Sequence, residues 1–327
     1  MERNKINPES TQTFLSTPTT ATTATIIELK SPGRQYALQV RVSAPVAGGN
    51  LPVILFAHGF GSSMLGYDPL VEFWSANGFV VIQPTFLDSK ILLDIPEATH
   101  QDAINAYLNN PGAKHIWRQR ITDMKATLDQ LHYIESYTPG LSGRLDSSRI
   151  AAVGHSFGAH TVGLLLGARV IKPDGNLEDD MSDKRINVAV LLSAGGRGGD
   201  ALSDFAKTHF SYLNQAFGQL NTPALLVAGD NDISPLTVIG PEWFTDIYAL
   251  SPGANALFTL FGGEHMLGGI TGHLAKETTD ENQERVAAVA QVTWAYLRSA
   301  LLPDDKSWTN AKAMLNRPNK IGSIMTK

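Results

Sequence analysis

From residue 24 onward, short apolar runs alternate with longer stretches whose apolar positions recur at helical spacing. Residues 52–57 (PVILFA) and 79–83 (FVVIQ) are continuous apolar runs, the pattern of strands covered on both faces. Ahead of them, 24–30 and 36–44 read as an antiparallel pair. Residues 68–77 predict a helix closed by Gly78, and 122–137 repeats Met124, Leu128, Leu131 and Ile134 at helical spacing. Residues 149–153, 187–192, 224–228 and 256–261 predict further strands, 157–169 a small-residue helix and 284–301 a closing helix. The alternation predicts an α/β fold of about eight strands, mostly parallel, with helices on both faces.

Two segments fit none of these elements, 87–115 and 193–221. Both follow the carboxyl ends of predicted parallel strands, where open α/β sheets hold their ligand crevice, so they are candidate lids or substrate walls, with surface decoration as the alternative. The expected organisation is a flexible lead-in over 1–23, rich in Thr, Ser and Ala, followed by one domain over 24–327 carrying both insertions. The carboxylate-rich run 174–183 lacks the regular spacing of a calcium loop and reads as a solvated connection.

Composition narrows the chemistry. The chain has no cysteine, which excludes disulfides, thiolate catalysis and cysteine-ligated zinc. A net charge of −5 with no basic stripe argues against a nucleic-acid partner. No window approaches the ~18 apolar residues of a membrane span. Met1–Leu15 has no apolar leader, so a cytoplasmic protein is expected, with a secreted or periplasmic one as the alternative if a leader has been removed.

Gly154-His155-Ser156-Phe157-Gly158 matches G-x-S-x-G between a strand-like run (RIAAV) and a helix-like run (AHTVGLLLGA). That context is the nucleophile elbow, a sharp strand-to-helix turn that needs glycines beside a strained serine. A serine nucleophile needs a base, and in this arrangement the acid and the histidine follow in chain order. Of the downstream histidines, His160 lies inside the elbow helix, His209 in an insertion, and His265 in a short loop after the last parallel strand, with His273 farther along it as the fallback. The loop after residue 228 offers two acids, Asp230 and Asp232. Two backbone amides are expected to form an oxyanion hole, those of Phe157 and of Phe60 in the loop His58-Gly59-Phe60-Gly61-Ser62-Ser63. His58 is read as holding that loop by hydrogen bonds.

HGFGSS at 58–63, GHSFGA at 154–159, GDNDISP at 229–235 and GGEHM at 262–266 together resemble the α/β-hydrolase superfamily. More narrowly, the chain is similar to the serine-containing "predicted dienelactone hydrolase" group, related to platelet-activating-factor acetylhydrolases, chlorophyllases and cutinase-like polyesterases. Residues 66–83, Arg120-Ile121-Thr122-Asp123 and 324–327 carry the likeness too, which runs from about residue 35. In the polyesterases the second acid of the matching loop is catalytic, which implies Asp232, and the Gly-x-His after the last strand implies His265. Three positions depart from these relatives. Ser156 stands where dienelactone hydrolases carry cysteine, Phe157 where chlorophyllases have arginine, and Ala194-Gly195-Gly196-Arg197 where polyesterases place a tryptophan. The expected activity is hydrolysis of a small-molecule ester through Ser156, His265 and Asp232, without metal or organic cofactor. Thioesters, lactones and a silent binding role are the alternatives. Apolar residues in both insertions are expected to line a partly covered cleft that prefers short-to-medium acyl esters.

Overall fold

The computed structural model describes residues 20–272, 278–318 and 320–327. In chain order its strands are β1 (Thr22–Leu29), β2 (Leu38–Pro45), β3 (Leu51–Ala57), β4 (Val80–Pro84), β5 (Leu145–His155), β6 (Arg169–Val170), β7 (Ile186–Leu192), β8 (Gln215–Ala216), β9 (Ala224–Gly229), β10 (Ala254–Leu260) and β11 (Gly322–Thr326). The helices are α1 (Asp68–Ala76), α2 (His100–Asn109), α3 (Ile116–Asp129), α4 (Leu131–Tyr137), α5 (Phe157–Leu165), α6 (Asp204–His209), α7 (Asp246–Leu250), α8 (Gln283–Leu301) and α9 (Ser307–Leu315). Nine strands form one sheet in the order β1-β2-β4-β3-β5-β7-β9-β10-β11, and β6 pairs with β8 apart from it. β3, β4, β5, β7, β9 and β10 run parallel to their neighbours in this series, while β1–β2–β4 and β10–β11 pair antiparallel.

Every residue of β3 is buried, as its unbroken apolar run predicts. The two-residue period of a strand sorts these side chains between two cores. Val53, Leu55 and Ala57 join one with Met124 and Leu128 of α3 and Val162 and Leu165 of α5. Ile54 and Phe56 join the other with Leu70, Val71 and Trp74 of α1 and a run of α8. Helices therefore cover both faces, giving the α/β-hydrolase architecture. Among the described residues, no helix is long and apolar enough to cross a membrane.

Four expectations need correction. β1 begins at Thr22, inside the stretch read as a lead-in; residues 1–19 lie outside the described ones. The helix expected over 122–137 starts at Ile116 and breaks at Gln130 into α3 and α4. Its first turns escaped because Arg118 and Arg120 interrupt the apolar pattern. α5 stops at Leu165 because Gly167 takes φ 111° and leads into β6. A ninth strand, β11, closes the far edge of the sheet against β10. Its sequence, GSIMT, is too short and mixed to announce a strand.

The strand order reverses between β3 and β5, the switch point where such sheets place their crevice. Ala57 is in register with Gly154, so the loop leaving β3 and the turn leaving β5 emerge side by side. On the opposite face, Trp74 is fully buried, 5.9 Å from Phe56, and donates its indole N–H to Thr293 Oγ1 at 3.1 Å. Trp74→Ala should lower stability by about 3–5 kcal/mol in urea unfolding. A loss below about 1 kcal/mol would show that this helical layer is not fixed to the sheet through Trp74.

Candidate active site

Ser156 sits between the end of β5 and the first residue of α5 with φ 53° and ψ −117°, a left-handed conformation that costs a non-glycine residue energy. Its N–H donates to the carbonyl of Leu192 at 2.9 Å, which pins the turn to β7. The flanking glycines are obligatory on steric grounds. A Cβ on Gly154 would run into the carbonyl of Gly158, and one on Gly158 into the carbonyl of Ala57.

His265 reaches over the sheet from the loop after β10. Its Nε2 lies 2.9 Å from Ser156 Oγ, and its Nδ1 lies 3.0 and 3.1 Å from the two carboxylate oxygens of Asp232. A carboxylate only accepts, so Nδ1 carries the proton and Nε2 presents its lone pair to the serine hydroxyl. Asp232 is fully buried, whereas His265 keeps 30% of its side chain open. The structure thus brings together the serine, histidine and second acid picked out by motif order and resemblance. Asp230 stays outside this line. Its Oδ1 accepts the Gly262 N–H at 2.6 Å and ties the loop after β9 to the loop after β10. His160 packs inside α5, its Nε2–H donating to the Tyr212 carbonyl at 3.1 Å. His209 ends α6 with its ring against Phe205, and the fallback His273 lies outside the described residues.

Phe157 opens α5, so its N–H has no partner within the helix. The rings of Phe60 and Phe157 lie 5.9 Å apart, so the side chains of the two residues named as oxyanion donors pack against each other. The loop carrying Phe60 is held from several directions. His58 donates Nδ1–H to the Gly59 carbonyl at 2.7 Å and accepts the Phe86 N–H on Nε2 at 3.1 Å. Arg120 donates to the carbonyls of His58 and Gly59 at 2.7 and 3.3 Å, and Asp88 accepts the Gly61 N–H at 3.1 Å. Arg120 and Asp88 themselves form a buried pair. Burial alone would raise the Asp88 carboxyl, but the charge and hydrogen bonds of Arg120 outweigh it and hold the group below the usual carboxylate range. The sequence patterns do not mark Asp88 or Arg120 as anchors of this loop. A charge on the apolar stripe Trp117, Arg120, Ile121, Met124, Leu128 was the available signal.

Residues 87–115 and 193–221 meet beside this loop. Tyr107 of α2 stacks on Phe210 at 5.1 Å and donates its hydroxyl to the His209 carbonyl at 3.1 Å. Phe60 packs edge-on against Tyr107, and Phe157 lies at a 30° tilt against Tyr212. The apolar residues expected to line a cleft divide between core and solvent. Tyr107, Leu202, Phe210, Tyr212 and Phe217 are buried, while Ile91, Leu92, Ile95, Leu108 and Phe205 face solvent. Ile91 and Leu92 belong to a single 3-10 turn, Lys90–Leu92, and Ile95 to no helix, so this stretch has no inward face to follow. The space beside Gly195 is taken by Trp243 from the loop after β9; a Cβ there would lie 2.7 Å from its ring. A surface groove of about 570 Å³ shares Tyr212 with the aromatic wall but is not lined by Ser156, Asp232 or His265. Among the described residues, no group of three or more His, Asp or Glu side chains is placed to hold a metal ion.

Residues 10–169 match the family of chlorophyllases. The matched stretch includes the Phe60 loop, Asp88, Arg120 and the elbow at Ser156, and stops short of Asp232 and His265. Comparison with curated proteins gives no match. The match and the fold together show an α/β-hydrolase-type chain and support hydrolase chemistry of the esterase kind.

Three buried histidines generate a pH dependence. Burial, then the charge of Arg120, pushes His58 down to about 3; burial, then His265, pushes His155 down to about 3; burial pushes His160 down to about 4. The unfolded chain takes up these protons near pH 6.5, so their contribution is complete above that pH and is lost as pH falls toward 4. Stability should drop by about 1 kcal/mol per histidine between pH 6.5 and 5.5. Urea unfolding across that interval measures it, and an unchanged midpoint would contradict neutral burial of all three.

Proposed function

We propose that this member of the α/β-hydrolase superfamily is a serine carboxylester hydrolase working through an acyl-enzyme. The observation that carries the reading is the line Ser156 Oγ–His265–Asp232, with hydrogen-bond distances of 2.9 Å and 3.0 Å at the carboxyl ends of β5, β9 and β10. Ser156 Oγ attacks the ester carbonyl as His265 Nε2 takes its proton. Asp232 holds Nδ1–H in place and stabilises the imidazolium. The amides of Phe157 and Phe60 receive the oxyanion, each such donor being worth about 10²–10³ in turnover. His265 returns the proton to the departing alkoxide, and a water activated by the same histidine then cleaves the acyl-enzyme.

Ser156→Ala should lower turnover on a p-nitrophenyl ester by roughly 10⁶-fold with the fold intact, and retention of a tenth of the activity would overturn the assignment. Asp232→Asn favours the wrong imidazole tautomer and should cost about 10⁴-fold. Asp230→Asn, which loosens only the contact to Gly262, should be far milder; the reverse ranking would make Asp230 the triad acid.

The aromatic cluster of half-buried Phe60 with buried Tyr107, Phe157, Phe210 and Tyr212 supports short-to-medium apolar acyl groups as substrates. Each methylene buried against such a wall is worth about 0.8 kcal/mol. Specificity constants should therefore rise from acetate toward butyrate and hexanoate. Values within a few-fold from acetate to octanoate would mean that the wall does not contact the acyl chain.

A further inference from the structure

His155, which precedes Ser156 in the elbow pentapeptide, is buried and bonded at both ring nitrogens. Its Nε2 lies 2.8 Å from the backbone carbonyl of His265, which can only accept, so Nε2 carries the proton. Nδ1 is then an acceptor, and the Tyr67 hydroxyl 2.9 Å away must donate to it. The same hydroxyl accepts the Gly59 N–H at 3.0 Å. Every donor in this chain points the same way, from Gly59 through Tyr67 and His155 to His265, and bonds aligned in this manner polarise and strengthen one another.

We propose that Tyr67 and His155 form a positioning relay that locks the loop carrying the oxyanion donor Phe60 to the loop carrying the base His265. The inference rests on the esterase reading above. Two further observations support a built device. Tyr67 holds the left-handed conformation φ 70°, ψ 23° immediately before α1, a strained placement for an aromatic residue. Gly59 leaves just enough room, since a Cβ there would lie 3.0 Å from the Tyr67 hydroxyl and 3.2 Å from His155 Nδ1. The base and the oxyanion donors act on one substrate carbonyl, and they come from loops far apart in the chain. A rigid link between those loops keeps the two in register, and misplacement of about 1 Å can cost roughly 10²-fold in rate.

Full-length wild type, Tyr67→Phe, His155→Phe and His155→Gln can be compared by the rate of fluorophosphonate labelling at Ser156 and by kcat and KM on p-nitrophenyl butyrate. Tyr67→Phe removes one oxygen and keeps the ring, so it decides the matter even where His155→Phe fails to fold. The expected result is labelling and kcat about 10- to 100-fold slower with KM within about three-fold. Partial recovery is expected in His155→Gln, which retains a donor for the His265 carbonyl. Labelling of Tyr67→Phe within two-fold of wild type, or a fall that merely tracks the folded fraction, would overturn the relay. Wild type that fails to label at Ser156 would overturn the esterase reading and the relay with it.

Discussion

Asp88 and Arg120 face each other with no exposed side-chain surface, joined by charge-assisted hydrogen bonds of 2.8 and 2.6 Å. A charge pair taken out of water gains little in stability over apolar residues of the same volume, yet losing one member strands the other at a cost of about 3–5 kcal/mol. Its importance lies in what the leftover donors and acceptors hold. Arg120 caps the carbonyls of His58 and Gly59, and Asp88 caps the amide of Gly61. Without those partners, the buried His58 carbonyl and Gly61 amide of an irregular loop would be orphaned, although the Gly59 carbonyl would keep the His58 ring N–H. The guanidinium also lies over the rings of Phe86 and Phe157, at 4.4 and 4.2 Å. One buried cation thereby touches the loop, its neighbour after β4 and the first residue of the elbow helix.

The sheet supplies the other half of the geometry. Parallel register sets Ala57 beside Gly154 and Gly229 beside Leu260, so the loops that carry Phe60, Ser156, Asp232 and His265 all leave the same edge. The strained backbone of Ser156 persists because glycines on both sides admit close packing and Leu192 fixes its amide. Burial of Asp232 removes water from the carboxylate, which strengthens its hold on the imidazole. His265 stays partly open, as the proposed function requires of the base.

What the sequence disclosed follows from how local each signal is. The buried strands and the elbow are written in short contiguous patterns, and the chain order of Ser156, Asp232 and His265 singled out residues that the structure brings within hydrogen-bond reach. Choosing Asp232 over Asp230 needed the resemblance, because both acids follow the same strand. The anchors of the Phe60 loop were not legible as such. Asp88 falls in a stretch with no periodicity, and Tyr67 and His155 meet only through a contact spanning 88 residues. Arg120 and Asp123 stand in a family-like run, which does not disclose their shared burial on one face of α3. Ile91, Leu92 and Ile95 misled in the opposite sense, since apolar residues without a regular period carry no information about which way they face.

If the buried pair sets the Phe60 loop for the proposed chemistry rather than merely filling the core, stability and turnover should separate in the double variant Asp88→Leu/Arg120→Met. Urea unfolding and kcat on p-nitrophenyl butyrate measure the two quantities. Each single variant should lose about 3 kcal/mol or more, and the double should regain much of it, because no uncompensated charge remains. Its turnover should stay at least about 100-fold below wild type, since the His58 carbonyl and the Gly61 amide still lack their partners. Wild-type turnover in a stable double variant would contradict the account.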